Sequence, residues 1–230
     1  PGMYIGGVST KGLNHLIYEI VDNAVDEHLA GHCNDIWVTL EADGSCTVKD
    51  SGRGIPIEMH NKGMSAERVV FSTLHAGGKF DNDAYKTSGG LHGVGSSVVS
   101  ARSERLDVKV YKNGGSHHDQ YQRGIPVVEL VQGLLPVIGK TRMTGTEINF
   151  LPDNEIFERT RFKADWVKSR MHETAYLNPR LTINYENRRP GEEEKIVYFE
   201  PDGLIAYVKE INSGKTPVHD PIYFKGELDR

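Results

Sequence analysis

Between positions 11 and 30 the apolar residues return with a helical period. Leu13, Ile17, Ile20 and Ala24 fall on one face and predict a core-packed helix. Glu19, Asn23, Asp26 and Glu27 stand at i, i+4, i+7 and i+8, a polar stripe on roughly the opposite face. Ser9 or Thr10 can cap this helix and Gly31 ends it. Residues 35–41 then read as a strand, 42–45 as an Asp-Gly turn and 46–49 as a second strand, which together predict a hairpin. Residues 66–74 look helical. Residues 75–90 are rich in Gly, Asn, Asp, Lys and Ser and carry no apolar periodicity; a loop that long is functional or mobile. Residues 94–101 predict a small buried helix.

Further strands are predicted at 106–112, 118–123, 127–130 and 147–150, a second long helix at 162–175 and a strand at 180–187. A charged hairpin tip covers 187–194, a short helix 204–211, and residues 217–224 start another strand. Hairpins mixed with a few helices predict an α+β fold: two layers, with helices on one face of a mixed, mostly antiparallel sheet. The strand–helix alternation of a doubly wound parallel fold is absent.

The chain has 230 residues and a net charge of −5, with 26% charged and 37% hydrophobic positions, the profile of an ordinary globular protein. That charge argues against a broad basic surface gripping nucleic acid. Cys33 and Cys46 form no CxxC pair, so a zinc site is not expected, and two free thiols in a reducing cytosol are. No apolar run reaches the length of a membrane span. The opening Pro1-Gly2-Met3-Tyr4-Ile5-Gly6 reads as an excised piece. His28 and His32 lack a third metal ligand and read as surface histidines; Trp37 and Trp166 read as core or half-buried anchors.

Four segments carry candidate chemistry. On the first helix, a carboxylate and an amide one turn apart, Glu19 and Asn23, can take a proton from water and hold a hard cation. Asp50-Ser51-Gly52-Arg53-Gly54-Ile55-Pro56 sets a carboxylate at a strand end beside bare backbone, which a flat heterocycle can approach closely. Ser88-Gly89-Gly90-Leu91-His92-Gly93-Val94-Gly95-Ser96-Ser97 opens a helix and reads as a phosphate cradle. It is not a Walker A loop, because Ser96 stands where that motif needs Lys, nor is it a Rossmann fingerprint. Thr144-Gly145-Thr146 precedes a strand. Alone, each segment also fits an ordinary turn, hinge or solvated face.

In this order, ExxDNAxDE, DxGRGIP, GGLHGVG and TGT resemble the nucleotide-binding boxes of the family that includes DNA gyrase, Hsp90, histidine kinases and MutL. PGMYIG at 1–6, LAGH at 29–32 and LHAGGKF at 74–80 resemble the B subunits of type II topoisomerases, of gyrase and almost equally of topoisomerase IV. The resemblance is dense over 1–100, clear to 150 and thinner to 224. It implies a Bergerat-type ATPase fold over 1–215, with 216–230 as the start of a following transducer domain.

The resemblance also implies roles. Glu19 matches the general base that activates the water attacking the γ-phosphate of ATP, and His15 the residue orienting it. Asn23 matches the Mg²⁺ ligand. Asp50 matches the reader of the adenine amine, and Thr146 its support. Gly54, Ile55 and Pro56 match the floor and wall of the base pocket, and Asp26, Glu27 and Arg53 its rim. Lys79, Tyr85, Gly90, Leu91, His92, Gly93, Val94 and Gly95 match the loop that closes over ribose and phosphates. Gyrases usually carry an Arg at the mouth of the base pocket; the sequence sets His118 there, which is expected to weaken aminocoumarin-type inhibitors.

The implied setting is a cytoplasmic enzyme that supercoils DNA through an ATP-operated dimer gate. Its partners are the A protein of gyrase, DNA and a second copy of the B protein, with no membrane. This piece alone is expected to be mostly monomeric and to hydrolyse ATP slowly. Competing readings are the B protein of topoisomerase IV, an ATP-gated chaperone or mismatch-repair clamp, and a kinase of the same superfold.

Overall fold

The computed structural model describes residues 7–73, 95–224 and 226. Its first element, α1 (Thr10–Leu29), buries Leu13, Leu16, Ile17, Ile20, Val21 and Ala24. Ser9 occupies the N-cap position but its side chain makes no capping bond. Gly31 ends the helix with a φ of +82°, a left-handed conformation in which glycine meets no Cβ penalty. Strands β1 (Asp35–Leu40) and β2 (Cys46–Asp50) form the predicted hairpin, with Val38 opposite Val48. Helices α2 (Ala66–Ser72) and α3 (Gly95–Ala101) follow.

A second run of strands comprises β3 (Ser103–Lys112), β4 (Gly115–Gln122), β5 (Ile125–Pro126), β6 (Val137–Lys140) and β7 (Gly145–Pro152). Then come α4 (Ala164–Leu177), β8 (Thr182–Asn187), β9 (Glu194–Tyr198) and α5 (Gly203–Ile211). The strands form one sheet in the order β5-β4-β3-β7-β2-β1-β8-β9, with β6 also on β4. Only β1 and β8 pair in parallel among the described strands; every other pair is antiparallel. The predicted α+β sandwich is therefore the observed fold.

Period-two alternation decides which sheet face meets the helices. On β7, Thr146, Ile148 and Phe150 are buried, while Glu147, Asn149 and Leu151 lie half-buried on the other side. Leu106, Val108 and Val110 of β3 and Ile36, Val38 and Leu40 of β1 join the same core as Leu13, Ile17 and Ile20 of α1. Cys33 and Cys46 are free and buried.

Two strand expectations change, and one strand goes unread. Residues 127–130 are not a strand; the pairing segment is Ile125–Pro126, just upstream, and Val127 only donates its backbone N–H to Gln120. The short strand 137–140 carries no sequence signal, because its Val137 and Ile138 are both exposed and so show no alternation. Residues 217–224 hold no strand, and Val218, Ile222 and Phe224 are exposed.

Candidate nucleotide site

The polar stripe of α1 faces the turn after β2 and the first turn of α3. Its members His15, Glu19, Asp26 and Glu27 are half-buried and Asn23 is exposed. The sequence separation is large, so the juxtaposition is a product of the fold. A Cβ built on Gly95 would lie 2.3 Å from a Glu19 carboxylate oxygen. Glu19 thus rests directly against the backbone at the start of α3, and a side chain at position 95 would have to push its carboxylate aside. One turn on, Asn23 Nδ2 donates to Ser96 Oγ at 3.0 Å. That contact leaves the amide oxygen to face outward.

His15 lies one turn before Glu19. Burial, then the charges of Lys11 and Arg170, hold its imidazole below the ordinary value. A neutral ring at pH 7 has one N–H and one lone pair, which suits a residue that orients a carboxylate through a hydrogen bond.

The second half of the site is built on the β2 end. Asp50 is buried, and one of its carboxylate oxygens, Oδ1, accepts from Gly52 N at 2.8 Å and from Thr146 N at 3.3 Å. Burial pushes its carboxyl up to about 6, the two backbone donors only partly opposing this. Neither of those bonds falls on Oδ2. Thr146 is buried and its Oγ1 accepts from Ile55 N at 3.1 Å, tying the glycine turn to β7. Gly54 has a φ of +77°, and a Cβ there would meet the Gly145 and Tyr111 carbonyl oxygens at 3.1 Å. Ile55 packs on the core and Pro56 lies half-buried in the turn beyond it.

Glu27 and Arg53 form a fork at the rim. Arg53 Nη2 donates to Glu27 Oε1 at 2.8 Å, while its Nε and backbone N donate to Oε2 at 3.1 and 3.2 Å. A Cβ on Gly52 would lie 3.0 Å from Glu27 Oε2 and 2.8 Å from Asp50 Oδ1, so both carboxylates close over that glycine. Glu27 raises the Asp50 carboxyl further, after burial.

The expected loop residues Lys79, Tyr85, Gly90, Leu91, His92, Gly93 and Val94 lie outside the described residues. His118 needs a correction. It sits mid-strand on β4 opposite Lys109, and its Nε2 lies 3.0 Å from Asp107 Oδ1. It lines an open trough of about 680 Å³ with Arg105, Asp107, Lys109, Glu147 and Asn149 on the helix-free face of the sheet. Asp50 and Thr146 are buried on the other face, so His118 does not share their site. The charges of that trough pair with one another, as in Lys109–Glu147 and Arg105–Asp107.

A cation does stand on the glycine turn, Lys112 at the end of β3. Its Nζ donates to the Gly54 carbonyl at 3.3 Å and stands 3.7 Å from Glu58. Its sequence signal is its place as the last strand residue before the Asn113-Gly114 turn. Sequence reasoning also misses Ser96 as a partner of Asn23. Among the described residues no group of His, Cys, Asp and Glu could hold a metal on its own. Asn23 offers a single hard oxygen, which fits a cation that takes its other ligands from phosphate and water, as Mg²⁺ does.

A family model described as histidine kinase-, DNA gyrase B-, and HSP90-like ATPase matches residues 9–153. The chain is similar to the DNA gyrase B protein of Archaeoglobus fulgidus, 51% identical over 229 residues, covering 100% of this chain and 36% of that protein. It is similar to the DNA gyrase B protein of Thermotoga maritima, 50% identical over 226 residues, covering 98% and 34%. The chain thus spans little more than a third of the length of these curated relatives. Among solved structures it is similar to the 43K ATPase domain of Thermus thermophilus gyrase B in complex with an aminocoumarin. The TM-score is 0.85 at 35% identity, covering 100% of this chain and 57% of that one. The matched span contains the acid–amide stripe, the buried carboxylate and the glycine turn that meet at one end of the sheet, and the chain belongs to the histidine kinase-, DNA gyrase B- and HSP90-like ATPase family.

Proposed function

We propose that residues 1–215 bind and hydrolyse ATP with Mg²⁺ as the ATPase domain of a gyrase-type topoisomerase B protein, and that residues 216–230 begin its transducer domain. The observation that carries this reading is the meeting of Glu19 and Asn23 of α1 with Gly95 and Ser96 of α3. It supplies a base and a cation ligand at one point, on the same helix whose Glu27 closes over Gly52 beside the buried Asp50.

In this reading Asp50 accepts from the adenine amine through the oxygen not used by Gly52 and Thr146. Thr146 holds the turn that walls the base. Glu19 takes a proton from the attacking water, and neutral His15 orients its carboxylate. Asn23 holds Mg²⁺, whose charge stabilises the phosphate oxygens. Glu27 and Arg53 hold the rim. Lys79, Tyr85 and residues 90–95 close over the phosphates, and Pro56 walls the base.

In the longer protein this ATPase would drive DNA strand passage in the cytoplasm, with the A protein of gyrase and a second copy of the B protein as partners. The gyrase-like identities favour this over topoisomerase IV. No helix among the described residues is long and apolar enough to cross a membrane.

The test is Glu19→Ala, read by turnover and by calorimetric binding of a non-hydrolysable ATP analogue. Losing a general base lowers a rate by on the order of 10²–10⁴. Turnover should fall by that much while binding stays within about threefold. A collapse of binding would make Glu19 a structural residue and overturn the assignment.

A further inference from the structure

We propose that Ser96 is a positioning residue for the cation site: its hydroxyl accepts from Asn23 Nδ2 and so fixes the side-chain amide with its oxygen facing the metal. The inference rests on the ATP·Mg²⁺ reading above and deepens it.

An asparagine amide has an oxygen on one side and an NH₂ on the other, nearly alike in shape. A cation tolerates only the oxygen. Asn23 is exposed, so packing alone does not select which side points out. What does select it is the bond from Nδ2 to Ser96 Oγ at 3.0 Å. Ser96 is buried, in the first turn of α3, on an element packed against α1. Its oxygen is therefore held in place while the Asn23 amide would otherwise rotate freely. Outer groups that hold a metal ligand by its second polar atom raise metal affinity by this route. Glu19 anchors on the neighbouring Gly95, so base and cation ligand take their positions from adjacent residues of one helix. The same serine occupies the place where a phosphate-binding lysine would stand in a Walker A loop. Here its work is on the cation side.

The test measures binding of a non-hydrolysable ATP analogue by calorimetry across a Mg²⁺ titration and in EDTA. Wild type, Ser96→Ala and Ser96→Thr are compared, each checked by thermal unfolding. Wild type should bind more tightly as Mg²⁺ is added; if it does not, the ATP·Mg²⁺ reading itself fails. Given that dependence, Ser96→Ala should need roughly 3- to 10-fold more Mg²⁺ for half of the gain, about what one hydrogen bond contributes. Its affinity in EDTA should stay unchanged, and Ser96→Thr should restore the wild-type requirement. An unchanged Mg²⁺ requirement in Ser96→Ala would overturn the proposal. So would an equal loss in EDTA, which would put Ser96 on the nucleotide instead. Should Ser96→Ala not fold, Ser96→Cys, near-isosteric and a poor acceptor, gives the same readout.

Discussion

Asp50 is held where its charge is unwelcome, and that fixes a trade between stability and binding. Its carboxyl rises from 3.8 to about 6 because it is buried. The folded state therefore binds this proton more tightly than the unfolded chain. The sign follows: no penalty exists below about pH 4, stability falls as pH rises from about 4 to 6, and the penalty is complete above. The rise corresponds to at most about 3 kcal/mol. Asp50→Asn keeps an oxygen for the Gly52 and Thr146 N–H groups and carries no charge. It should be more stable than wild type by about 1–3 kcal/mol at pH 8, with the gap closing near pH 4, in urea unfolding at both pH values. Its affinity for the ATP analogue should fall sharply, since the amide must also present an NH₂ toward the base amine. Lys112 and His118 divide just as clearly. His118→Arg should leave the affinity for the ATP analogue unchanged within about twofold, because the sheet stands between it and Asp50. Lys112→Ala should weaken the same ligand several-fold, because its Nζ sits on the Gly54 carbonyl. Fluorescence titration of both variants checks the pair, and a loss in His118→Arg alone would reverse the assignment.

At the scale of elements, the junction of β2 with β7 is set by one backbone contact. Gly145 opens β7 with a φ of +132°, and a Cβ there would lie 2.1 Å from the Asp50 carbonyl oxygen. The two nearest atoms, the Asp50 carbonyl oxygen and carbon, are backbone, so nothing flexible can yield there. Gly145→Ala should lose on the order of 3 kcal/mol, read as a fall in the urea midpoint, with nucleotide binding lost alongside. Gly44 has a similar sign of φ, at +90°, but nothing within 4 Å of its Cβ position, so Gly44→Asn should cost only the backbone strain, about 1 kcal/mol. The contrast shows what is legible in the sequence. The Asp43-Gly44 turn is a local signal, and the hairpin around it is readable. The use of Gly145 depends on a strand 95 residues upstream, and TGT alone says almost nothing. The expected strand at 127–130 fails although Val128 and Leu130 are half-buried, because its backbone leaves the sheet: after the Val127 N–H bonds Gln120, the Val128 carbonyl is taken by Arg68. Trp37 and Trp166 are 37% and 48% exposed, Trp37 with Lys49 over its ring, so size does not bury them. In the charged tip at 187–194, Arg189 is buried and donates to the Asn187 side chain and the Phe162 carbonyl. The site residues on α1 and β2 are legible because their boxes are contiguous. Ser96 and Lys112 are not, because their partners, Asn23 and Gly54, come from other segments.

Across the whole molecule, the helical layer is tied to the far end of the sheet by one buried polar cluster. Asp119 of β4 is fully buried and takes a two-point fork from Arg68 of α2, Nε to Oδ2 at 2.9 Å and Nη2 to Oδ1 at 2.6 Å. Arg68 Nη2 also donates to the Val128 carbonyl at 2.7 Å, which anchors the segment after β5. The Tyr121 hydroxyl lies 2.8 Å from Asp119 Oδ2 and 3.1 Å from Glu67 Oε1, yet it has one proton to give. Glu67 is fully buried, and burial followed by the charge of Asp119 raises its carboxyl well above the ordinary range. That rise favours the protonated Glu67 carboxyl, which would donate to the Tyr121 oxygen while Tyr121 donates to Asp119, the partner of Arg68. The cluster carries one carboxylate and one guanidinium, balanced. Removing one partner strands the other, which typically costs about 3–5 kcal/mol, whereas replacing both with apolar groups is often neutral. Arg68→Met and Asp119→Leu should each lose about that much, and the double variant should lose clearly less than their sum. Glu67→Gln should stay within about 1 kcal/mol of wild type at pH 7, since no charge is removed. Urea unfolding of the set decides it. Additive losses would mean that the pair is not coupled. A large loss in Glu67→Gln would mean that Glu67 is ionised and that the proton resides elsewhere in the cluster.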